Sequence, residues 1–270
     1  LDEEGSVDVN HLEILLSNNN QTTLVSLMHI NNEIGNVLDL EAVGTLCKKY
    51  GAYFHSDAVQ GVGHFHLDFS ALPIDFLSAS AHKFHGPKGI GFLYVSKALR
   101  LQSMIKGGGQ ERGLRAGTEA VHNIVGMATA LELAYQNYDS EYQHILEIKK
   151  YFLDQIHAVF PEAICNGLSG DLARSTYTLV NISLPIDQEK ATILDFHLDL
   201  NGIACSKGSA CQSGSSQGSH VINALQRKDQ YSDWPTLRFS FSCFNSKSEI
   251  DHLTTVLRQF ATQEKPLANS

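Results

Sequence analysis

The stretch Leu24-Val25-Ser26-Leu27-Met28-His29-Ile30 is a mostly apolar run followed by the polar Asn31 and Asn32, which predicts a buried β-strand. Residues 40–50 carry apolar side chains at helical spacing and end in Lys48 and Lys49 before Gly51, which predicts a helix. Further strand patterns follow at residues 52–55, 74–78 and 90–95. This alternation is typical of an α/β fold with a mostly parallel sheet, in which ligands bind at the strand ends.

The second half of the chain has a different pattern, with two long helical stretches at residues 118–135 and 140–160. Short strands are predicted after them at 163–165, 178–184, 202–205 and 237–241, with helices at 191–200, 219–226 and 248–262. We therefore expect two domains, an α/β domain at 1–136 and a smaller α+β domain at 137–270. Residues 208–218 are rich in Gly, Ser and Gln, and we interpret them as a mobile loop.

Composition excludes several classes of function. The net charge of -9 argues against sequence-independent binding of nucleic acid, which needs clustered Lys and Arg. No run approaches the roughly 18 apolar residues of a membrane helix, so we expect a soluble, cytoplasmic protein. The 5 cysteines are an odd number without zinc-like spacing, which fits free thiols in a reducing compartment and no metal site.

Lys83 lies directly after a predicted strand, in Ser80-Ala81-His82-Lys83-Phe84-His85-Gly86-Pro87-Lys88-Gly89. A lysine in such a place is commonly a solvated surface residue. At a tight corner it can instead form a Schiff base, which needs a neutral amine that burial or a nearby positive group favours. Asp57, just past the strand at 52–55, can cap a helix or keep the pyridine nitrogen of pyridoxal 5'-phosphate (PLP) protonated.

Motifs in family order and at family spacing closely resemble the NifS/IscS-type cysteine desulfurases across nearly the whole chain. The motifs are Met28-His29-Ile30-Asn31-Asn32-Glu33-Ile34-Gly35, His55-Ser56-Asp57-Ala58-Val59-Gln60, Ser80-Ala81-His82-Lys83, Gly107-Gly108-Gly109-Gln110-Glu111-Arg112-Gly113 and Gly208-Ser209-Ala210-Cys211. This resemblance implies the type I fold of PLP-dependent transferases, which consists of a large domain and a small one.

The resemblance also implies a set of cofactor contacts. In it, Lys83 forms the Schiff base with PLP, and Asp57 faces the pyridine nitrogen. The other implied contacts are Gln60 and Asn32 near the ring hydroxyl and the substrate, Ser80 and His82 at the phosphate with His82 also catalytic, and Thr118 at the phosphate of a neighbouring subunit. A homodimer is therefore expected.

Cys211 is the catalytic cysteine that the resemblance implies. Its thiolate would attack the sulfur of PLP-bound cysteine, which leaves alanine on the cofactor and a persulfide on Cys211. A purely structural Cys211 is the alternative. Cys205 is expected to be packed inside, or to serve as a resolving cysteine. Arg238 matches the family arginine that holds the substrate carboxylate by a two-pronged hydrogen bond, and would otherwise be an edge residue.

The resemblance begins in the middle of the family's large domain, so we expect an N-terminal segment of the same protein to be missing and the sheet to keep an exposed apolar surface without it.

The predicted activity is conversion of L-cysteine to L-alanine, with sulfur passed to an acceptor or scaffold protein in iron–sulfur, tRNA-thiolation or related pathways. Two alternatives stay open. One is a cysteine or selenocysteine lyase or an aminotransferase of the same fold, and the other is a catalytically silent scaffold.

Overall fold

The computed structural model describes residues 1–207, 219–225, 231 and 233–262. Its helices are α1 (Val9–Ser17), α2 (Leu40–Lys49), α3 (Val121–Gln136), α4 (Tyr138–Val159), α5 (Gln188–Ala191), α6 (Leu194–Leu200), α7 (His220–Ala224) and α8 (Lys247–Thr262). Its strands are β1 (Leu24–Met28), β2 (Tyr53–Asp57), β3 (Phe76–Ser80), β4 (Gly91–Val95), β5 (Ile164–Cys165), β6 (Leu179–Ser183), β7 (Ser206–Lys207) and β8 (Thr236–Ser240). Within these ranges, no helix has the length and apolar character needed to cross a membrane.

The first sheet has the strand order β1-β2-β3-β4. The strands β1, β2 and β3 run parallel, which confirms the mostly parallel sheet of an α/β fold. The strand β4, predicted at residues 90–95, pairs with β3 in the antiparallel sense and is the exception in this mostly parallel sheet. Only residues 81–90 join the two strands, and a parallel crossover needs about a dozen residues or more.

The packed face of this sheet carries alternating residues of each strand. Val25, Phe54 and Leu77 are buried on that face, whereas their neighbours along each strand are exposed or half-buried. The helix α2 packs its apolar stripe into the same core. It begins with the side chain of Asp39, which accepts a hydrogen bond from the Ala42 amide, and Gly51 follows its end with φ of 66°. The predicted glycine stop is confirmed.

The second sheet is antiparallel throughout, with the order β5-β6-β8-β7. Phe152 of α4 is fully buried and lies 5.1 Å from the ring of Phe239 and 5.3 Å from that of Phe241. The strand predicted at 202–205 is wrong, because the residues that pair with β8 are Ser206 and Lys207. The helix predicted at 191–200 is α6, which begins at Leu194, and the short helix α5 ends just before it at Ala191.

The chain forms two compact units. The first unit comprises Asp8–Ile30 and Leu38–Tyr138, and the second comprises Leu1–Val7, Asn31–Val37 and Asp139–Ser270. The main division thus falls after Tyr138, close to residue 136, but two short segments from the N-terminal half belong to the second unit. The predicted division into two folding domains stays a prediction. The helix α1 was not predicted, although Val9, Leu12, Ile14, Leu15 and Leu16 are apolar and the Asp8 side chain caps its start.

Candidate active site

Asp57 and Ser80 lie at the same edge of the first sheet, because they end the neighbouring parallel strands β2 and β3. The Asp57 carbonyl accepts a hydrogen bond from the His29 amide at 2.9 Å, and its Oδ1 accepts one from the Val59 amide at 3.0 Å. These bonds hold the half-buried Asp57 carboxylate at the strand end, where α/β sheets place their ligands.

Lys83 lies in a short 3₁₀ turn, Ala81–Phe84, that follows β3 directly. Ala81 and Phe84 are buried and anchor the turn, whereas Lys83 is half-buried. The Lys83 carbonyl lies 2.9 Å from Nε2 of His64, which donates to it. The lysine therefore extends from a fixed backbone at the same sheet edge as Asp57.

The hydroxyl of Ser80 lies 2.8 Å from Nδ1 of His82. Both residues were predicted to bind the cofactor phosphate, and the structure brings them together on either side of Ala81. His82 is exposed and Ser80 half-buried, so a hydroxyl and an imidazole at this corner can reach an anion. Their roles stay predictions.

Gln60 is half-buried in the turn after β2, and the next residue, Gly61, makes a close approach to His29. A Cβ at Gly61 would clash with Nδ1 of His29, so only glycine fits there. His29 is 4% exposed, and burial lowers its pKa to about 4. No partner for its Nδ1 is found among the described residues. His29 is thus held neutral inside the first unit, in edge contact with the Phe65 ring.

His55 has hydrogen-bond partners on both ring nitrogens, Ser26 Oγ at 2.8 Å and Ser78 Oγ at 3.0 Å. These contacts tie together β1, β2 and β3 and agree with a local structural role. Thr118 is exposed and follows Gly117, whose φ is 107°. Its predicted contact with a neighbouring subunit stays a prediction.

The donor set at this sheet edge fits PLP. The Lys83 amine can bind the aldehyde carbon, the Asp57 carboxylate can pair with the pyridine nitrogen, and the hydroxyl of Ser80 and imidazole of His82 suit the phosphate. The residues present therefore match the functional groups of the cofactor in type.

Arg238 and Asn32, the two residues predicted to bind substrate, lie together in the second unit. Nη1 of Arg238 donates to the backbone carbonyl of Asn32 at 2.7 Å, and Nη2 donates to Oγ of Ser206 at 3.2 Å. The buried Nε of Arg238 has no acceptor among the described residues. The predicted two-pronged bond from Arg238 to a substrate carboxylate stays a prediction; without substrate, a serine hydroxyl accepts from Nη2.

A contact that sequence reasoning missed joins Glu33 and Ser219. The side chain of Glu33 is 1% exposed, and its Oε2 accepts a hydrogen bond from the Ser219 hydroxyl. The same hydroxyl accepts from the Ile222 amide at 3.1 Å and so caps α7. The sequence predicts a helix from residue 219, but it gives no sign of the cap or of a buried acidic partner 186 residues away.

Cys211, the predicted persulfide carrier, and the loop predicted at 208–218 lie outside the described residues. Cys205 is half-buried, and burial raises the pKa of its thiol to about 11. A thiol with so high a pKa stays protonated near neutral pH and is a poor nucleophile. This agrees with the prediction of a packed Cys205.

Comparisons with known proteins identify the family. The class-V aminotransferase model matches residues 1–253. The cysteine desulfurase IscS of Clostridium botulinum is 39% identical over 268 residues, which cover 99% of this chain and 66% of that protein. The chain thus spans just under two thirds of the length of this curated relative.

Two solved structures agree with the fold. The NifS-like protein from Rickettsia africae matches with a TM-score of 0.83 and 30% identity over 96% of this chain and 68% of that one. A structure described as SspA in complex with cysteine matches with a TM-score of 0.73 and 29% identity over 91% of this chain and 65% of that one. The chain therefore belongs to the class-V aminotransferase family and, within it, to the NifS/IscS type.

Proposed function

We propose that the protein containing this chain is a PLP-dependent cysteine desulfurase, which converts L-cysteine to L-alanine and places the sulfur on Cys211 as a persulfide. The observation that carries the proposal is the placement of Asp57, Ser80, His82 and Lys83 at one edge of the parallel sheet. The IscS relatives and the relative described with bound cysteine support the choice of substrate.

Each residue of the sheet edge has a defined task in this proposal. When bound, PLP supplies an electron sink that stabilises negative charge on substrate carbon. The Lys83 amine holds the cofactor covalently, and Asp57 keeps the pyridine nitrogen protonated. Ser80 and His82 bind the phosphate, with Thr118 reaching it from a neighbouring subunit of a homodimer, and Gln60 and the Asn32 side chain orient the ring and the substrate.

The sulfur-transfer step is a nucleophilic displacement at sulfur. The Cys211 thiolate attacks the sulfur of the bound cysteine, so an S–S bond forms and the substrate C–S bond breaks. The electron pair of the broken bond stays with the substrate carbon, which takes up a proton and becomes the methyl group of alanine. Cysteine and the Cys211 thiol thus give alanine and a Cys211 persulfide, and no outside oxidant is needed.

The partners follow from this product. A persulfide must be passed on, so we propose a sulfur-acceptor or scaffold protein of iron–sulfur cluster assembly, tRNA thiolation or a related pathway. We also propose a cytoplasmic location, since a reducing compartment keeps Cys211 in the thiol form that the reaction uses.

The experiment assays the PLP-loaded protein with L-cysteine and a thiol reductant. We expect alanine and sulfide in equal amounts, lost in Cys211→Ala while the absorbance of lysine-bound PLP is retained. Cys205→Ala is the matched control and should keep full activity. Sulfide release that persists in Cys211→Ala would indicate a lyase, and absence of PLP absorbance in the wild type would indicate a scaffold. Either result would reject the proposal.

A further inference from the structure

The guanidinium of Arg238 presents two different edges. Nη1 is committed to the Asn32 carbonyl at 2.7 Å, a short bond from a charged donor to a backbone acceptor. Nε and Nη2 form the other edge, whose two N–H groups point the same way and match the spacing of carboxylate oxygens. On that edge Nη2 meets the Ser206 hydroxyl at 3.2 Å, and Nε has no acceptor among the described residues.

We propose that Ser206 competes with the substrate carboxylate for Arg238 and so sets the affinity for L-cysteine. The carboxylate binds the Nε and Nη2 edge, displaces the Ser206 hydroxyl and satisfies the buried Nε. The bond from Nη1 to the Asn32 carbonyl persists and fixes the plane of the guanidinium. The inference rests on the proposed function, since it needs an amino-acid substrate.

The relative strength of the two contacts favours this exchange. A serine hydroxyl is a neutral acceptor and engages one N–H of Arg238 at 3.2 Å. A carboxylate carries a negative charge and accepts from two N–H groups at once, so it forms a bidentate ion pair with the guanidinium where serine accepts a single bond. The carboxylate therefore replaces the hydroxyl, but the lost serine bond weakens apparent binding.

The backbone of Ser206 allows the exchange without disruption of the sheet. Ser206 pairs directly with Arg238 in the ladder between β7 and β8, and Lys207 pairs with Leu237. These backbone pairs do not involve the Ser206 hydroxyl. Rotation of a half-buried serine side chain is therefore sufficient to release Nη2.

The test compares Ser206→Ala with wild type in the PLP-loaded protein. Removal of the competing serine hydroxyl is expected to lower the KM for L-cysteine and the Kd for L-alanine about three- to tenfold, with kcat unchanged. Ser206→Thr keeps a hydroxyl and should match wild type. Ser183→Ala, which removes a buried hydroxyl bonded to Thr236 in the same unit, is the matched control and should leave KM unchanged.

Cysteamine, which is cysteine without its carboxylate, separates competition from a general effect. Its affinity should be the same in wild type and Ser206→Ala. An unchanged or raised Kd for L-alanine in Ser206→Ala would overturn the inference, as would an equal gain for cysteamine. The Kd of L-alanine is measured by calorimetry and does not need sulfur transfer, so absence of sulfide production in the wild type would refute only the proposed function.

Discussion

Lys149 of α4 is a fully buried lysine, with 0% exposure. Its Nζ donates to Oγ of Ser175 and to the carbonyl of Thr176, both at 2.7 Å. Burial lowers the pKa of Lys149 to about 8, although the negative charge of Asp171 acts in the opposite direction. The folded protein therefore disfavours the ammonium form, and stability should depend on pH through this one group.

The sign and size of this dependence follow from the two pKa values of Lys149. The unfolded value is 10.5 and the folded value about 8, so between these pH values the unfolded chain binds more protons and stability rises with pH. The shift corresponds to about 3 kcal/mol of destabilisation, present in full below pH 8 and absent above pH 10.5. Between about pH 7 and pH 10 the wild type should recover roughly 2.5 kcal/mol from this group.

The variant Lys149→Met removes the charge and keeps much of the volume. We expect this variant to have nearly wild-type stability at neutral pH. Loss of the buried charge stabilises it, and this gain offsets the cost of about 1–3 kcal/mol for leaving the buried Thr176 carbonyl without a hydrogen bond. At about pH 10 the wild type should be more stable than the variant by roughly 2–3 kcal/mol. Urea unfolding of both proteins at pH 7 and pH 10 gives the change in unfolding free energy between these pH values for each protein. The double difference is the change in the wild type minus the change in the variant.

Two controls isolate Lys149. Burial raises the pKa of Cys165 to about 11, so its thiol titrates in an overlapping range and the comparison is repeated with Cys165→Ala in both proteins. Lys150 is the next residue and is exposed, so Lys150→Met shows how much the loss of a surface lysine changes stability. A double difference below about 0.5 kcal/mol, a typical limit for surface substitutions, would refute the assignment of a buried charge at Lys149.

Two further predictions concern buried polar groups in each unit. Burial lowers the pKa of His29 from 6.5 to about 4, so the unfolded chain takes up a proton first as pH falls. About 3 kcal/mol of stability that is present above pH 6.5 should therefore be lost by pH 4. The variant His29→Phe should lack this loss when unfolding is measured as a function of acid pH. Ser219→Ala removes both the cap of α7 and the hydrogen bond to buried Glu33, so we expect a loss of about 2–3 kcal/mol in urea unfolding.

A different result would contradict each of the two predictions, for His29→Phe and for Ser219→Ala. An acid limb as steep in His29→Phe as in wild type would assign the loss to other groups. For the second unit, Glu33→Gln keeps an amide oxygen that can accept from Ser219 and should cost less than Ser219→Ala. Equal stability of Ser219→Ala and wild type would mean that the contact contributes nothing.

The sequence by itself determined the secondary structure wherever hydrophobic periodicity is strong. The helices α2, α4 and α8 and the strands β1 to β3 lie within a few residues of their predicted bounds, because burial of one face requires apolar residues at a regular spacing. The motif around Lys83 also predicted its position after β3. The family followed from motifs in order along the chain, as the class-V match over residues 1–253 bears out.

Only the tertiary structure decided which partner each polar group has. Nothing local to Arg238 predicts that Ser206 occupies one of its donors, since Asn32 and Ser206 reach it across long sequence separations. Likewise Lys149 stands beside Lys150 in the sequence, yet one is buried and the other exposed. Periodicity assigns a residue to a face of its helix, but burial and hydrogen bonding depend on what packs against that face.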